Sequence, residues 1–149
     1  MPTIALTGKQ QLSEHFTLHE LTASQTATRK GITEQFSPTA EIVESLRFLC
    51  NNLLEKLREM NGNQPLMISS GYRCPRLNKA VGGKPNSQHQ KGEAVDIDFG
   101  SKPANRDFFN KIKKSGIVFD QLLNEFDFAW VHISMKKEGN RKQVLDITG

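Results

Sequence analysis

Ser87-Gln88-His89-Gln90-Lys91-Gly92-Glu93-Ala94-Val95-Asp96-Ile97-Asp98 runs from a polar loop into a strand. From Ala94 to Phe99, apolar Val95, Ile97 and Phe99 alternate with Ala94, Asp96 and Asp98. A period of two gives one set to a core and turns Asp96 and Asp98 to the opposite face. Downstream, Ala129–Met135 repeats the alternation: Trp130, His132 and Ser134 share one face, Val131, Ile133 and Met135 the other. Between these blocks, Phe119–Glu125 reads as a further strand, joined to Ala129–Met135 around Phe126-Asp127-Phe128. Close spacing of this kind predicts antiparallel pairing.

Helices precede the strands. The segment Phe16–Gly31 predicts a short helix. Ser37-Pro38 reads as an N-cap and first helical residue. Behind it Ile42, Leu46, Leu49, Leu53 and Leu57 recur at helical spacing, one apolar face of a helix ending near Met60. Leu66–Ser70 is a predicted strand, Pro75–Ala80 a helical turn stopped by Gly82-Gly83, and Pro103 opens a helix that ends at Gly116. Lys142–Ile147 reads as an edge strand. The predicted class is α+β: a small antiparallel sheet with helices packed on one side.

With 149 residues the chain suits one domain, 1–149, with 1–14 polar and weakly periodic enough to be loose. No apolar run approaches the ~20 residues of a membrane span. The first residues lack the basic start and apolar stretch of a signal peptide, so synthesis in the cytoplasm without an export signal is expected. Cys50 continues the apolar stripe, and Cys74 follows Arg73 in a turn-like segment; both are expected as free thiols. The net charge of +4 is spread along the chain. Its densest basic cluster, Lys136, Lys137, Arg141 and Lys142, reads as a solvated surface, with attraction to an anionic polymer as the alternative. No dense basic and aromatic surface of a nucleic-acid binder is visible.

His89, Asp96 and His132 are two imidazoles and a carboxylate on separate pieces of backbone. Three such ligands suit a catalytic divalent metal, with a fourth position open for water. Asp96 sits on a strand whose other face is apolar, and burying it unpaired would cost several kcal/mol. The residues alone leave open whether the histidines bind metal or simply pack.

Taken in order, Ser70-Gly71-Tyr72-Arg73, Asn78, Ser87-x-His89-x-x-Gly92-x-Ala94-x-Asp96-Ile97 and Trp130-Val131-His132-Ile133-Ser134 resemble peptidase family M15, the zinc D,D-peptidases. That family includes D-alanyl-D-alanine carboxypeptidases and the L-alanoyl-D-glutamate endopeptidases found among phage lysins. The likeness is nearest to short, single-domain members and spans residues 15–146. It implies a hedgehog/D,D-peptidase-like fold, a Zn2+ cofactor held by His89, Asp96 and His132, and a peptidoglycan stem peptide as substrate. It further implies Arg73 as the group that contacts the substrate and polarises its carbonyl, with Tyr72 and Ser87 lining the cleft. A monomer acting on the cell wall after phage-type release is the corresponding expectation, with neither a membrane nor a nucleic-acid partner.

The general base is where the chain departs from the pattern. Many relatives carry an acid or histidine three residues before the last zinc ligand; that position is Ala129 here. Glu125 and Asp127 lie just upstream. If the hairpin forms as read, Glu125 lies beside His132 across the ladder, and short relatives resemble this chain in having a glutamate there. Glu125 is preferred, Asp127 is the alternative, and Glu93 is expected at the surface. Three rival functions remain at this point. Loss of the base at Ala129 would leave a non-catalytic zinc module that binds cell wall or a partner. Two histidines and a carboxylate also form the facial triad of non-haem iron oxygenases. A metal-dependent nuclease is the third.

Overall fold

A computed structural model of the chain describes residues 10–147. Of the stretch expected to be loose, residues 1–9 lie outside the described residues. From Gln10 the chain is docked: Leu12 and Phe16 enter the core, and Gln11 pairs with Thr17 in an isolated bridge. The predicted single helix over Phe16–Gly31 is two helices, α1 (Leu18–Thr22) and α2 (Gln25–Lys30). Each has its own cap, since Thr17 accepts from Glu20 N and Ser24 from Ala27 N.

The long apolar stripe forms α3 (Ala40–Leu49), a π-helical turn (Cys50–Leu54) and α4 (Glu55–Met60). The cap is Thr39, not Ser37: Ser37 is consumed in closing a 3-10 turn over Thr33–Phe36, its N–H bonding Glu34 O. In the π turn Asn51 Nδ2 reaches Leu12 O at 3.1 Å, tying the docked N-terminal segment to the helix. Glu55, the first residue after the π turn, accepts from Ser13 Oγ at 2.6 Å and from His15 N at 2.7 Å.

The remaining elements are β1 (Ile68–Ser70), α5 (Pro75–Ala80), β2 (Ala94–Ile97), α6 (Lys102–Ser115), β3 (Gln121–Glu125), β4 (Trp130–Ser134) and β5 (Gln143–Ile147). Among the described residues the strands form one sheet in the order β1-β2-β4-β3-β5. Its first four members pair antiparallel. The last departs from expectation, because β5 runs parallel to β3. Since β3 lies between β4 and β5, residues 135–142 must cross the start of β3 rather than turn back beside β4. Asp120 anchors that crossing. Its buried carboxylate takes Arg141 Nε at 3.0 Å and Nη2 at 2.8 Å, with Lys136 Nζ at 3.7 Å. Part of the basic cluster read as free surface is therefore committed to an ion pair.

Val95, Ile97, Val131, Ile133 and Leu122 share one core with Phe108, Phe109 and Ile112 of α6 and the leucines of α3 and α4. The α+β class and helix-backed sheet are as the alternation predicted. Both cysteines are buried and unpaired. Among the described residues no helix is long and apolar enough to cross a membrane.

Candidate metal centre

In the observed register Asp96 stands opposite His132 in the β2–β4 ladder. Directly paired residues project to the same face, so the two side chains meet. His89 reaches them from a 3-10 turn over Gln88–Lys91. That turn is opened by Ser87, whose hydroxyl accepts from His89 N, and closed by Gly92 in the left-handed region. Asp96 Oδ1 lies 3.2 Å from His89 Nε2 and 3.1 Å from His132 Nδ1. The rings stand edge to face at 5.1 Å. One donor atom from each of the three lies within 4.8 Å of the others, and all three side chains are buried.

The hydrogen bonds say what belongs between them. His89 Nδ1 is 2.7 Å from the carbonyl oxygen of Gly71. A carbonyl only accepts, so Nδ1 carries the proton, and in the neutral ring the Nε2 lone pair faces a carboxylate oxygen. Two electron-rich atoms in that arrangement are bridged either by a second proton on the ring or by a metal cation. A carbonyl behind a metal-binding imidazole is the usual support that fixes its tautomer. Two nitrogens and one carboxylate oxygen are also a donor set that suits zinc. Burial opposes charge on Asp96, yet its neighbours His89 and His132 hold its carboxyl well below the usual carboxylate range.

Arg73 closes one side. Its Nη2 is 3.1 Å from Asp96 Oδ2, its Nε 3.1 Å from Ser70 Oγ and its Nη1 3.3 Å from Asn78 Oδ1. Among the described residues its remaining N–H groups have no hydrogen-bond partner, and a guanidinium keeps its charge and its planar fork wherever it sits. The backbone from Gly71 to Cys74 is held along its length. Tyr72 N donates to Leu21 O at 2.8 Å and Arg73 N to His89 O at 3.0 Å. Gln35, wholly buried, donates from Nε2 to Thr22 O and Tyr72 O and accepts from Cys74 N. A glycine is required at 71, because a Cβ there would collide with the Leu21 carbonyl. The sequence reading missed Gln35. In Thr33-Glu34-Gln35-Phe36 it looks like any surface glutamine, and its partners come from distant segments.

Glu125 is not directly across from His132. The register pairs Leu123 with His132 and Glu125 with Trp130, so Glu125 lies on the diagonal of the same face. Burial pushes its carboxyl up, with Asp96 adding to the rise and His132, Lys84 and His89 opposing it. Asp127 lies in the turn beyond, its side chain 83% exposed and 3.5 Å from Lys102 Nζ. That turn is unusual: Phe126, Asp127 and Phe128 all have positive φ, at 50°, 57° and 61°. Three consecutive non-glycine residues in the left-handed region carry strain. Asn124 Oδ1 accepts from Phe128 N at 2.6 Å, and Asn105 Nδ2 donates to Phe128 O at 2.9 Å, clamping it. Phe126 packs on Trp130 with ring centres 5.1 Å apart. Tyr72 is buried, Ser87 is half-buried, and Glu93 lines a groove beside α3 with Glu41, Ser45 and Phe48.

A buried trio of metal-type donors on one sheet face, with a fixed guanidinium beside it, is an arrangement that could hold a divalent metal next to a substrate. The chain belongs to the peptidase M15 family, whose model matches residues 14–134. It is also similar to a zinc D-Ala-D-Ala carboxypeptidase of Streptomyces albus G, at 37% identity over 49 residues. That stretch is 33% of this chain and spans only 19% of the length of that relative.

Proposed function

We propose that the protein is a zinc-dependent peptidase that hydrolyses stem peptides of peptidoglycan. The observation that carries this reading is the convergence of His89, Asp96 and His132 donor atoms within 4.8 Å, in a chain of the M15 family. These three residues would hold the zinc. Bound there, the metal supplies a Lewis acid for the scissile carbonyl and lowers the pKa of a bound water.

The chain's own groups do the rest. Glu125, on the same face as His132, accepts a proton from the attacking water and returns it to the leaving amine. Its upward-shifted carboxyl suits both directions of transfer, since a base is most effective with a pKa near the working pH. Arg73, fixed by Ser70, Asn78 and Asp96, offers its uncommitted N–H groups to the carbonyl oxygen as negative charge develops. Tyr72 and Ser87 shape the cleft from the loops on either side. Exposed Asp127, paired with Lys102, is the weaker candidate for the base.

The test is Glu125→Gln, assayed on purified peptidoglycan with zinc content measured in parallel. Turnover falls by about 100-fold or more, the usual worth of a general base, while zinc stoichiometry is retained. Full activity in this variant would refute the assignment of the base. A second reading, a zinc module that binds cell wall without cutting it, is motivated by Ala129. It predicts sedimentation with peptidoglycan but no release of peptide fragments by the wild-type protein.

A further inference from the structure

The turn over Phe126-Asp127-Phe128 takes a backbone form that its own residues disfavour. All three have positive φ, and none is a glycine, which would adopt it freely. Phe126 is 44% exposed, so packing of its ring does not account for the turn. Such a conformation persists only where its surroundings over-determine it.

Two asparagines supply those surroundings. Asn105, on α6, is 1% exposed. Its Oδ1 accepts from Phe99 N at 2.8 Å. Its Nδ2 lies 2.9 Å from Phe128 O, 3.1 Å from Asp98 Oδ1 and 3.2 Å from Ala129 O. An amide nitrogen has two N–H groups, which these acceptors share. Asn124, on β3, accepts from Phe128 N at 2.6 Å and donates from Nδ2 to Asp146 Oδ1 at 3.0 Å.

The segments joined in this way are those of the site. Asp98 and Phe99 follow directly on β2, which carries Asp96. Ala129 leads into β4, which carries His132, and its N–H bonds Glu125 O at 3.0 Å. One side chain of α6 therefore ties the end of the Asp96 strand to the residue that holds the backbone of Glu125. The metal-type donors are fixed by other means. Asp96 and His132 are set by the β2–β4 ladder, and His89 by the Gly71 carbonyl behind it. Glu125 is the last residue of β3, where the turn acts on it most directly.

We propose that Asn105 is a positioning residue: by holding the strained turn after β3, it sets Glu125 at working distance from a metal at His89, Asp96 and His132. The inference rests on the peptidase reading above, with Glu125 as its base. A base must come within about 2.6–3.2 Å of the proton it takes, so a small displacement is felt.

The experiment is a double-mutant cycle on zinc-loaded protein. Asn105→Ala removes the clamp and leaves α6 with a good helix former. On a synthetic stem peptide, kcat and KM are measured for wild type, Asn105→Ala, Glu125→Gln and the double variant, with the zinc content of each. Asn105→Ala is expected to lower kcat by about 10–100-fold, the scale of a base misplaced by about 1 Å, with KM and zinc content near wild type. In the Glu125→Gln background the same substitution changes kcat by less than about twofold, because no base is left to misplace. Asn124→Ala, which releases Phe128 N from the other side of the turn, repeats the pattern and decides the matter if Asn105→Ala does not fold. Equal losses in both backgrounds, loss of zinc, or an unchanged kcat overturns the proposal and leaves the peptidase reading intact. Full activity in Glu125→Gln removes the base assignment and this proposal together, still within a working peptidase. A wild type that cleaves no stem peptide overturns the peptidase reading as well, and so separates the failures.

Discussion

Gln35→Met tests how the Arg73 loop is held. Methionine nearly matches glutamine in shape, so little cavity or strain is introduced. The loss is polar. Cys74 N–H gives up the Gln35 Oε1 acceptor at 2.8 Å, and the carbonyls of Thr22 and Tyr72 lose donors at 2.9 and 2.7 Å. An orphaned buried amide costs about 1–3 kcal/mol. Each carbonyl, with a second lone pair to satisfy, adds about 1 kcal/mol at the low end of the same range. The expected loss is therefore about 3–5 kcal/mol, a large part of the ~5–15 kcal/mol that holds a domain together. With a urea slope of about 2 kcal/mol/M, the unfolding midpoint falls by about 1.5–2.5 M at constant slope. The single tryptophan, Trp130, sits on β4 and reports the transition by fluorescence. Below the transition, kcat/KM should fall as well, because the same bonds position Arg73. A midpoint shift under about 0.5 M at unchanged slope would refute the claim that these three bonds hold the loop.

Two further outcomes follow from other contacts. Gly83→Ala should push Asn78 off Arg73 and lower kcat/KM about tenfold or more, the scale of one lost charge-assisted bond, while zinc content stays at the wild-type level. Paired zinc analysis and peptide hydrolysis check it, and retained activity would show the loop gives way instead. Hydrogen bonds from Arg141 pull the Asp120 carboxyl from 3.8 down to about 2, against the effect of burial. A folded pKa below the unfolded one means the stabilisation is complete above about pH 4 and disappears as pH falls toward 2. Allowing for screening of the half-exposed Arg141, Asp120→Asn should remove about 1–2 kcal/mol at neutral pH and flatten the acid limb between pH 4 and 2. Urea midpoints measured across that range decide it.

The parts of the molecule that could be read in advance are those whose signal is local and periodic. Val95 and Ile97 against Asp96, and Val131 and Ile133 against His132, define two strands and their faces without knowledge of a partner. The stripe from Ile42 to Leu57 defines its helix, and Pro103 with Gly116 brackets α6, whose cap is Ser101. The π turn was hidden because Leu46, Leu49, Leu53 and Leu57 satisfy an α-helical face with or without one extra residue. Ser37 and Thr39 are equally good caps on paper, and only the 3-10 turn before them decides. The direction of β5 depends on where residues 135–142 travel, and alternation is the same for a strand read either way. Within the site, residue types pointed to His89, Asp96 and His132, and the family resemblance added Arg73. Gln35, Asn105 and the diagonal offset of Glu125 are facts of tertiary register, and no spacing in the chain encodes them.

The parallel pairing of β5 has a practical consequence at the other end of β3. Ile147 stands opposite Glu125, and Phe126 N donates to its carbonyl at 2.8 Å. A module joined beyond Ile147 by a short linker therefore starts from a residue paired with Glu125, the base proposed above, and its bulk should slow peptide turnover.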